Sequence, residues 1–98
     1  MSDADRSLLV FFTSRRSGPA RRMESLLAHI ARRERDNLAV KLVDVDERPD
    51  LAERFKVSEV PALALVQGKR VVATLEGRAT APTIESMLDV HLDRTATA

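Results

Sequence analysis

The sequence predicts an α/β domain built on a four-stranded mixed sheet, with the element order βαβ-α-ββα. Two observations support this. An apolar run of strand length, a one-faced helical pattern and a second β-rich run follow one another, which is typical of parallel strands joined by a crossover helix. Two further β-rich runs are separated by a glycine-containing turn, which predicts an antiparallel hairpin. The 98 residues favour one domain over two.

The first half of the chain predicts the βαβ unit. Residues 7–13 form a continuous apolar run, as in a strand buried on both faces. From Pro19 to about Arg35, apolar side chains recur every three or four residues, so this helix packs one face on the sheet. Proline is tolerated in a first helical turn, where its missing N–H is not needed. Residues 38–45 form the second strand.

The second half predicts a short helix over residues 50–55, opened by Pro49, and a hairpin of residues 62–66 and 70–75. Thr80 is a candidate N-cap of the last helix. We expect residues 1–6 to form a disordered leader, residues 7–92 the domain and residues 93–98 a frayed tail.

Composition excludes several classes of function. Sixteen basic and fifteen acidic residues give a net charge of +1, so no long-range field attracts nucleic acid or membranes. Only 3% of residues are aromatic, which disfavours a base-stacking platform. The chain contains no cysteine, and this excludes disulfides, thiolate metal ligation and thiol redox chemistry. We expect no metal and no cofactor.

The N-terminal residues do not predict a targeting signal. Residues 1–6 are acidic where a signal peptide would be basic, and the apolar run that follows is short. No segment approaches the roughly 20 apolar residues that cross a bilayer. A cytoplasmic protein without a membrane partner is the expectation.

Four local features occur in one order along the chain: the apolar first strand, the segment Ser17-Gly18-Pro19-Ala20, the pair Val60-Pro61, and Glu76-Gly77-Arg78 before the last helix. In this order and spacing they resemble the thioredoxin superfamily over about residues 7–92, with Ser17-Gly18-Pro19-Ala20 in place of Cys-Gly-Pro-Cys and Val60-Pro61 in place of the cis-proline loop. The resemblance favours a bacterial member with a thioredoxin-like three-layer fold. It implies that the first strand and helix of full-length thioredoxins have no counterpart here.

The resemblance implies that Ser17 and Ala20 are vestigial positions. In the family, the helix N-terminus lowers the pKa of the first cysteine and makes it nucleophilic. A serine hydroxyl there needs a positioned base, and His29 lies about 18 Å further along the helix at about 1.5 Å per residue. Phe11 and Arg16 stand where the family has a buried acid and a tryptophan. No catalytic residue is therefore assigned.

One family feature that does not depend on cysteine is the groove that binds a peptide beside the cis-proline. In thioredoxin-like proteins the residue before the cis-proline offers its backbone to an extended peptide, which is a form of β-augmentation. The sequence thus predicts a redox-inactive module that binds a peptide or protein, although Pro61 could merely shape a turn. The candidate partner-binding residues are Arg16, Ser17, Gly18, Pro19, Val60, Pro61 and Gly77.

Two alternatives stay open. Serine is the near-isosteric replacement for cysteine, so Ser17 could be an engineered substitution in a monothiol redox protein. Alternatively, the helix N-terminus could bind phosphate, sulfate or a carboxylate through its arginines, although a solvated helix face is the favoured interpretation of them. The candidate anion-binding residues are Arg15, Arg16, Arg21 and Arg22.

Acidic residues follow the second strand. They could attract a divalent cation, but their spacing lacks the glycine and the terminal glutamate of a calcium loop. A solvated cap of the short helix is the favoured interpretation. The residues are Asp44, Asp46, Glu47 and Asp50.

Overall fold

A computed structural model describes residues 6–92, and it confirms the predicted order βαβ-α-ββα. The predicted leader, apart from Arg6, and the predicted tail lie outside the described residues. The elements are β1 (Ser7–Thr13), α1 (Gly18–Arg33), β2 (Leu38–Asp44), α2 (Pro49–Arg54), β3 (Ala62–Gln67), β4 (Arg70–Glu76) and α3 (Ala81–His91).

The four strands form one mixed sheet in the order β2-β1-β3-β4. β1 pairs in parallel with β2, from Ser7 opposite Leu38 onwards, because α1 carries the chain back between them. β1 also pairs antiparallel with β3, which in turn pairs antiparallel with β4. The predicted parallel pair and the predicted hairpin are both present.

The sheet separates two apolar clusters, and alternate residues of β1 point into each. Phe11, fully buried, belongs to the larger cluster, which contains the inner faces of α1 and α3. Phe12, also fully buried, belongs to the smaller cluster, against which Leu51 and Phe55 from the α2 segment pack. The rings of Phe12 and Phe55 lie 5.3 Å apart between centroids. The fold therefore has helices on both faces of the sheet.

The ends of α1 differ slightly from the sequence-based prediction. The helix begins at Gly18, because Ser17 caps it, and it ends at Arg33 rather than Arg35. The N–H of Glu34 still donates a hydrogen bond to the carbonyl of Ile30. The N–H of Leu38 then donates to the carbonyl of Glu34 at 2.7 Å. This turn closes the helix and starts β2.

The other helices agree closely with the pattern. α2 starts at Pro49, one residue earlier than predicted. Thr80 caps α3 as predicted, since its hydroxyl accepts the N–H of Thr83. None of the helices within residues 6–92 is long and apolar enough to cross a membrane.

Candidate functional site

Strand register brings three segments to one end of the sheet. Phe12, near the end of β1, pairs with Ala62 at the start of β3, and Ala62 pairs with Glu76 at the end of β4. The segments that follow β1, precede β3 and follow β4 therefore meet at this end. They contain all seven residues predicted to contact a partner.

Ser17 forms the tip of α1. Its backbone is extended (φ −99°, ψ 108°), and its Oγ accepts the N–H of Ala20 at 3.1 Å. The carbonyl of Ser17 accepts the N–H of Arg21 at 3.1 Å. Ala20 is fully buried in the larger cluster. The Ser17 hydroxyl makes no hydrogen bond to a histidine within residues 6–92, so its observed role is to cap the helix.

The loop before α1 is tied to the loop after β2. The buried Ser14 hydroxyl donates to a carboxylate oxygen of Asp46 at 2.7 Å and accepts the N–H of Arg16 at 3.2 Å. The guanidinium of Arg15 lies 2.8 Å from Glu47, and that of Arg16 lies 4.0 Å from Asp46. Two of the predicted anion-binding arginines thus already face carboxylates of this chain.

Three of the four predicted anion-binding arginines line two different clefts. Arg15 and Arg21 line a cleft of about 530 Å³ that three carboxylates also line. Arg22 lines a separate cleft on the side of α3. Adjacent residues diverge by about 100° on a helix, which separates Arg21 from Arg22. Anion binding by the complete set stays a prediction.

The acidic residues after β2 form ion pairs. Asp44, Asp46 and Glu47 each lie within 4.0 Å of Arg15 or Arg16. Within the part of the chain that the structure describes, no cluster of three potential metal-ligating side chains occurs. These ion pairs and the hydrogen bond from Ser14 to Asp46 join this segment to the loop before α1.

The segment around Pro61 presents an open main chain. The Val60–Pro61 peptide bond is cis, and the Pro61 carbonyl accepts the N–H of Gly77 at 2.8 Å. Gly77 has φ +84°, a conformation that glycine adopts without strain. Within residues 6–92, neither the N–H nor the C=O of Val60 has a hydrogen-bond partner. A strand laid beside Val60 could use both groups.

The carboxylate of Glu76 holds the segment that leads to Val60. It accepts the Ser58 hydroxyl at 2.7 Å, the Ser58 N–H at 3.0 Å and the Glu59 N–H at 3.2 Å. The hydrogen bond from the Ser58 hydroxyl, together with these two N–H groups, holds the pKa of Glu76 below its ordinary value. Sequence analysis missed this role, because no local pattern relates Glu76 to Ser58.

The model of the thioredoxin family matches residues 1–90. The chain belongs to the thioredoxin family. It is 35% identical over 86 residues to a thioredoxin-like protein of Synechocystis, covering 88% of this chain and 79% of the relative. It is 32% identical over 74 residues to a bifunctional thioredoxin reductase/thioredoxin of Mycobacterium leprae, which is 76% of this chain but 16% of that protein.

A solved structure shows the same thioredoxin fold. The germline-specific thioredoxin Deadhead of Drosophila melanogaster superposes with a TM-score of 0.83 at 28% identity, covering 89% of this chain and 82% of that one. The four-stranded mixed sheet described above is therefore a thioredoxin-type sheet.

We expect Glu76→Gln to destabilise the protein at pH 7 and to lose this effect in acid. A carboxyl whose pKa is lowered on folding stabilises the folded state above its unfolded pKa, and this stabilisation is lost as the pH falls through the folded pKa. Urea unfolding at pH 7 and at about pH 3 measures the difference between wild type and variant.

Glu53→Gln is the matched control, because the Glu53 side chain lies exposed on α2 and makes no hydrogen bond within residues 6–92. It should unfold like wild type at both pH values. An equal deficit of Glu76→Gln at both pH values would contradict a stabilising role for the ionised carboxylate.

Proposed function

We propose that this chain is a redox-inactive thioredoxin-like domain that binds an extended peptide or protein segment at the end of the sheet where β1, β3 and β4 meet. The observation that carries the proposal is the open main chain of Val60, at the end of the sheet where α1 begins. The binding face comprises Arg16, Ser17, Gly18, Pro19, Val60, Pro61 and Gly77.

The chemistry of the helix tip supports binding without electron exchange. From the resemblance of Ser17-Gly18-Pro19-Ala20 to Cys-Gly-Pro-Cys, we assign the positions of the family's two cysteines to Ser17 and Ala20, and the chain contains no cysteine. A serine hydroxyl remains protonated at neutral pH and cannot form a disulfide. Ala20 is buried and offers only a methyl group. The helix N-terminus is retained while the groups that would exchange electrons are replaced.

The surroundings of Val60 support strand addition. In β-augmentation, main-chain hydrogen bonds supply affinity and pockets for alternate side chains supply specificity. A cleft of about 220 Å³ lies next to the open main chain, and apolar side chains of Val45, Ala52, Val57 and Val60 contribute to its lining. A peptide paired with Val60 could place one apolar side chain there.

We expect the wild-type protein to show no dithiol-dependent reduction of insulin above buffer, and Ser17→Cys/Ala20→Cys to gain it. A cysteine at position 17 would stand at the N-terminus of α1, where the helix dipole lowers the thiolate pKa below about 8.5. The precipitation of reduced insulin measures the activity.

The matched control is Ser25→Cys/Ala28→Cys, which places the same two substitutions at the same spacing on the exposed middle of α1. This variant should remain inactive, because its thiols lie away from the helix N-terminus. Turnover by the wild-type chain would refute redox inactivity. A Ser17→Cys/Ala20→Cys variant no better than the control would refute the assignment of these positions.

We also expect a bound peptide to perturb the proposed face. The probe is a peptide selected from a random nine-residue library on the immobilised protein. In ¹H–¹⁵N correlation spectra, the amides of Ser17, Val60 and Gly77 should shift on titration, because a strand paired with Val60 contacts all three segments. The amides of Gly68 and Lys69, at the opposite end of the hairpin, are the internal control. Shifts centred on that end would contradict the proposal.

A further inference from the structure

The cleft that Arg22 lines opens between the start of α1 and the segment that joins β4 to α3. Its volume is about 540 Å³, and it lies at the same end of the sheet as the proposed peptide-binding face. Apolar side chains from α1 and from this segment line part of the cleft. Two arginines and a threonine line the rest. The residues are Pro19, Arg22, Met23, Leu26, Arg78, Ala79 and Thr80.

The two arginines of this cleft differ from those of the neighbouring loop. Arg15 and Arg16 face carboxylates of the β2–α2 loop. Arg22 and Arg78 are both exposed, and no carboxylate within residues 6–92 lies within 4.0 Å of either guanidinium. Their positive charge is therefore available to a partner.

The position of Arg22 places this charge against the peptide-binding face. One of its guanidinium nitrogens lies 3.5 Å from the point that a β-carbon at position 18 would occupy, so the side chain lies over Gly18. The first turns of α1 and α3 contain no acidic residue. The carboxylate of Glu59 lies 3.7 Å from the point that a β-carbon at position 77 would occupy, but it forms no ion pair with either arginine within residues 6–92. Arg78 directly follows Gly77, whose N–H is bonded to the Pro61 carbonyl. A peptide that crosses the proposed face between Gly18 and Gly77 would thus run close to both arginines.

We infer that this cleft selects, in the bound peptide, an acidic residue and an apolar residue two positions apart, since alternate side chains of an extended strand lie on the same face. The carboxylate pairs with Arg22 and Arg78, since guanidinium and carboxylate groups form strong, charge-assisted hydrogen bonds. The apolar side chain lies on Met23, Leu26 and Ala79. This inference rests on the proposed function and adds the chemistry of the preferred partner: an extended, acidic segment of another protein.

The test compares peptide selection on three proteins. A random nine-residue display library is selected on wild type, on Arg22→Glu/Arg78→Glu and on Arg32→Glu/Arg70→Glu. The last is the matched control, because Arg32 and Arg70 are exposed, have no ion pair within residues 6–92 and give the same change in charge. Deep sequencing of the selected pools gives residue frequencies.

Wild type and the control should enrich Asp or Glu two positions from an apolar residue, whereas Arg22→Glu/Arg78→Glu should still retain peptides but prefer Lys or Arg at the acidic position. For one selected peptide, Glu→Gln substitution should weaken binding to wild type about tenfold, or about 1.4 kcal/mol. The same substitution should strengthen binding to the reversed variant, because it removes a repulsion between like charges.

The outcomes separate the two claims. Peptides enriched on wild type without acidic preference, or with the same preference on the reversed variant, would overturn the inference and leave peptide binding intact. Failure of wild type to enrich any peptide would overturn both the inference and the proposed function.

Discussion

The pairing of β1 on both of its edges is the constraint on which the rest of the structure depends. β1 is hydrogen-bonded in parallel to β2 and antiparallel to β3, and its side chains are buried in both apolar clusters. Successive side chains of a strand point to opposite faces, so a shift of one residue would exchange Phe11 and Phe12 between the clusters. Burial of both faces therefore fixes the register of β1. This register also sets where β1 ends relative to β3, and hence where α1 begins relative to Pro61.

The geometry of the proposed binding face follows from that arrangement and from two local anchors. Asp46, from the β2–α2 loop, holds Ser14 on the approach to α1. Glu76, from the end of β4, holds Ser58 and Glu59 on the approach to Val60. Neither anchor depends on sulfur chemistry, so the geometry of the helix tip and of the open main chain can persist in a chain without cysteine. This geometry suits binding by main-chain hydrogen bonds, and the surrounding side chains then determine which partner is preferred.

The order of elements, the parallel β1–β2 pair and the β3–β4 hairpin could all be predicted from local patterns. Apolar runs, helical spacing and the turn at Gly68 are properties of neighbouring residues, and chain connectivity restricts how the strands can pair. The N-cap at Thr80 was predictable for the same reason, since a capping hydroxyl acts within one turn. The resemblance to thioredoxins supplied the position of the candidate face.

Contacts between distant segments could not be predicted in this way. Ser14 and Asp46 are 32 residues apart, and Ser58 and Glu76 are 18 apart. Both pairs consist of polar residues that the sequence alone would assign to the surface. The packing of the whole sheet decides which residues they contact. The same holds for the arginines: the sequence grouped four of them by proximity in the chain, whereas the structure separates Arg22 from Arg15 and brings Arg78 to its cleft.

Hydrogen exchange at a single amide tests the central claim most directly. In the protein alone, the N–H of Val60 has no acceptor within the described residues and should exchange with deuterium at close to the rate of an exposed amide. At saturation with a selected peptide, exchange at Val60 should slow by at least about tenfold, because the peptide supplies a main-chain carbonyl. Unchanged exchange at Val60 in a fully formed complex would show that the partner does not add a strand there.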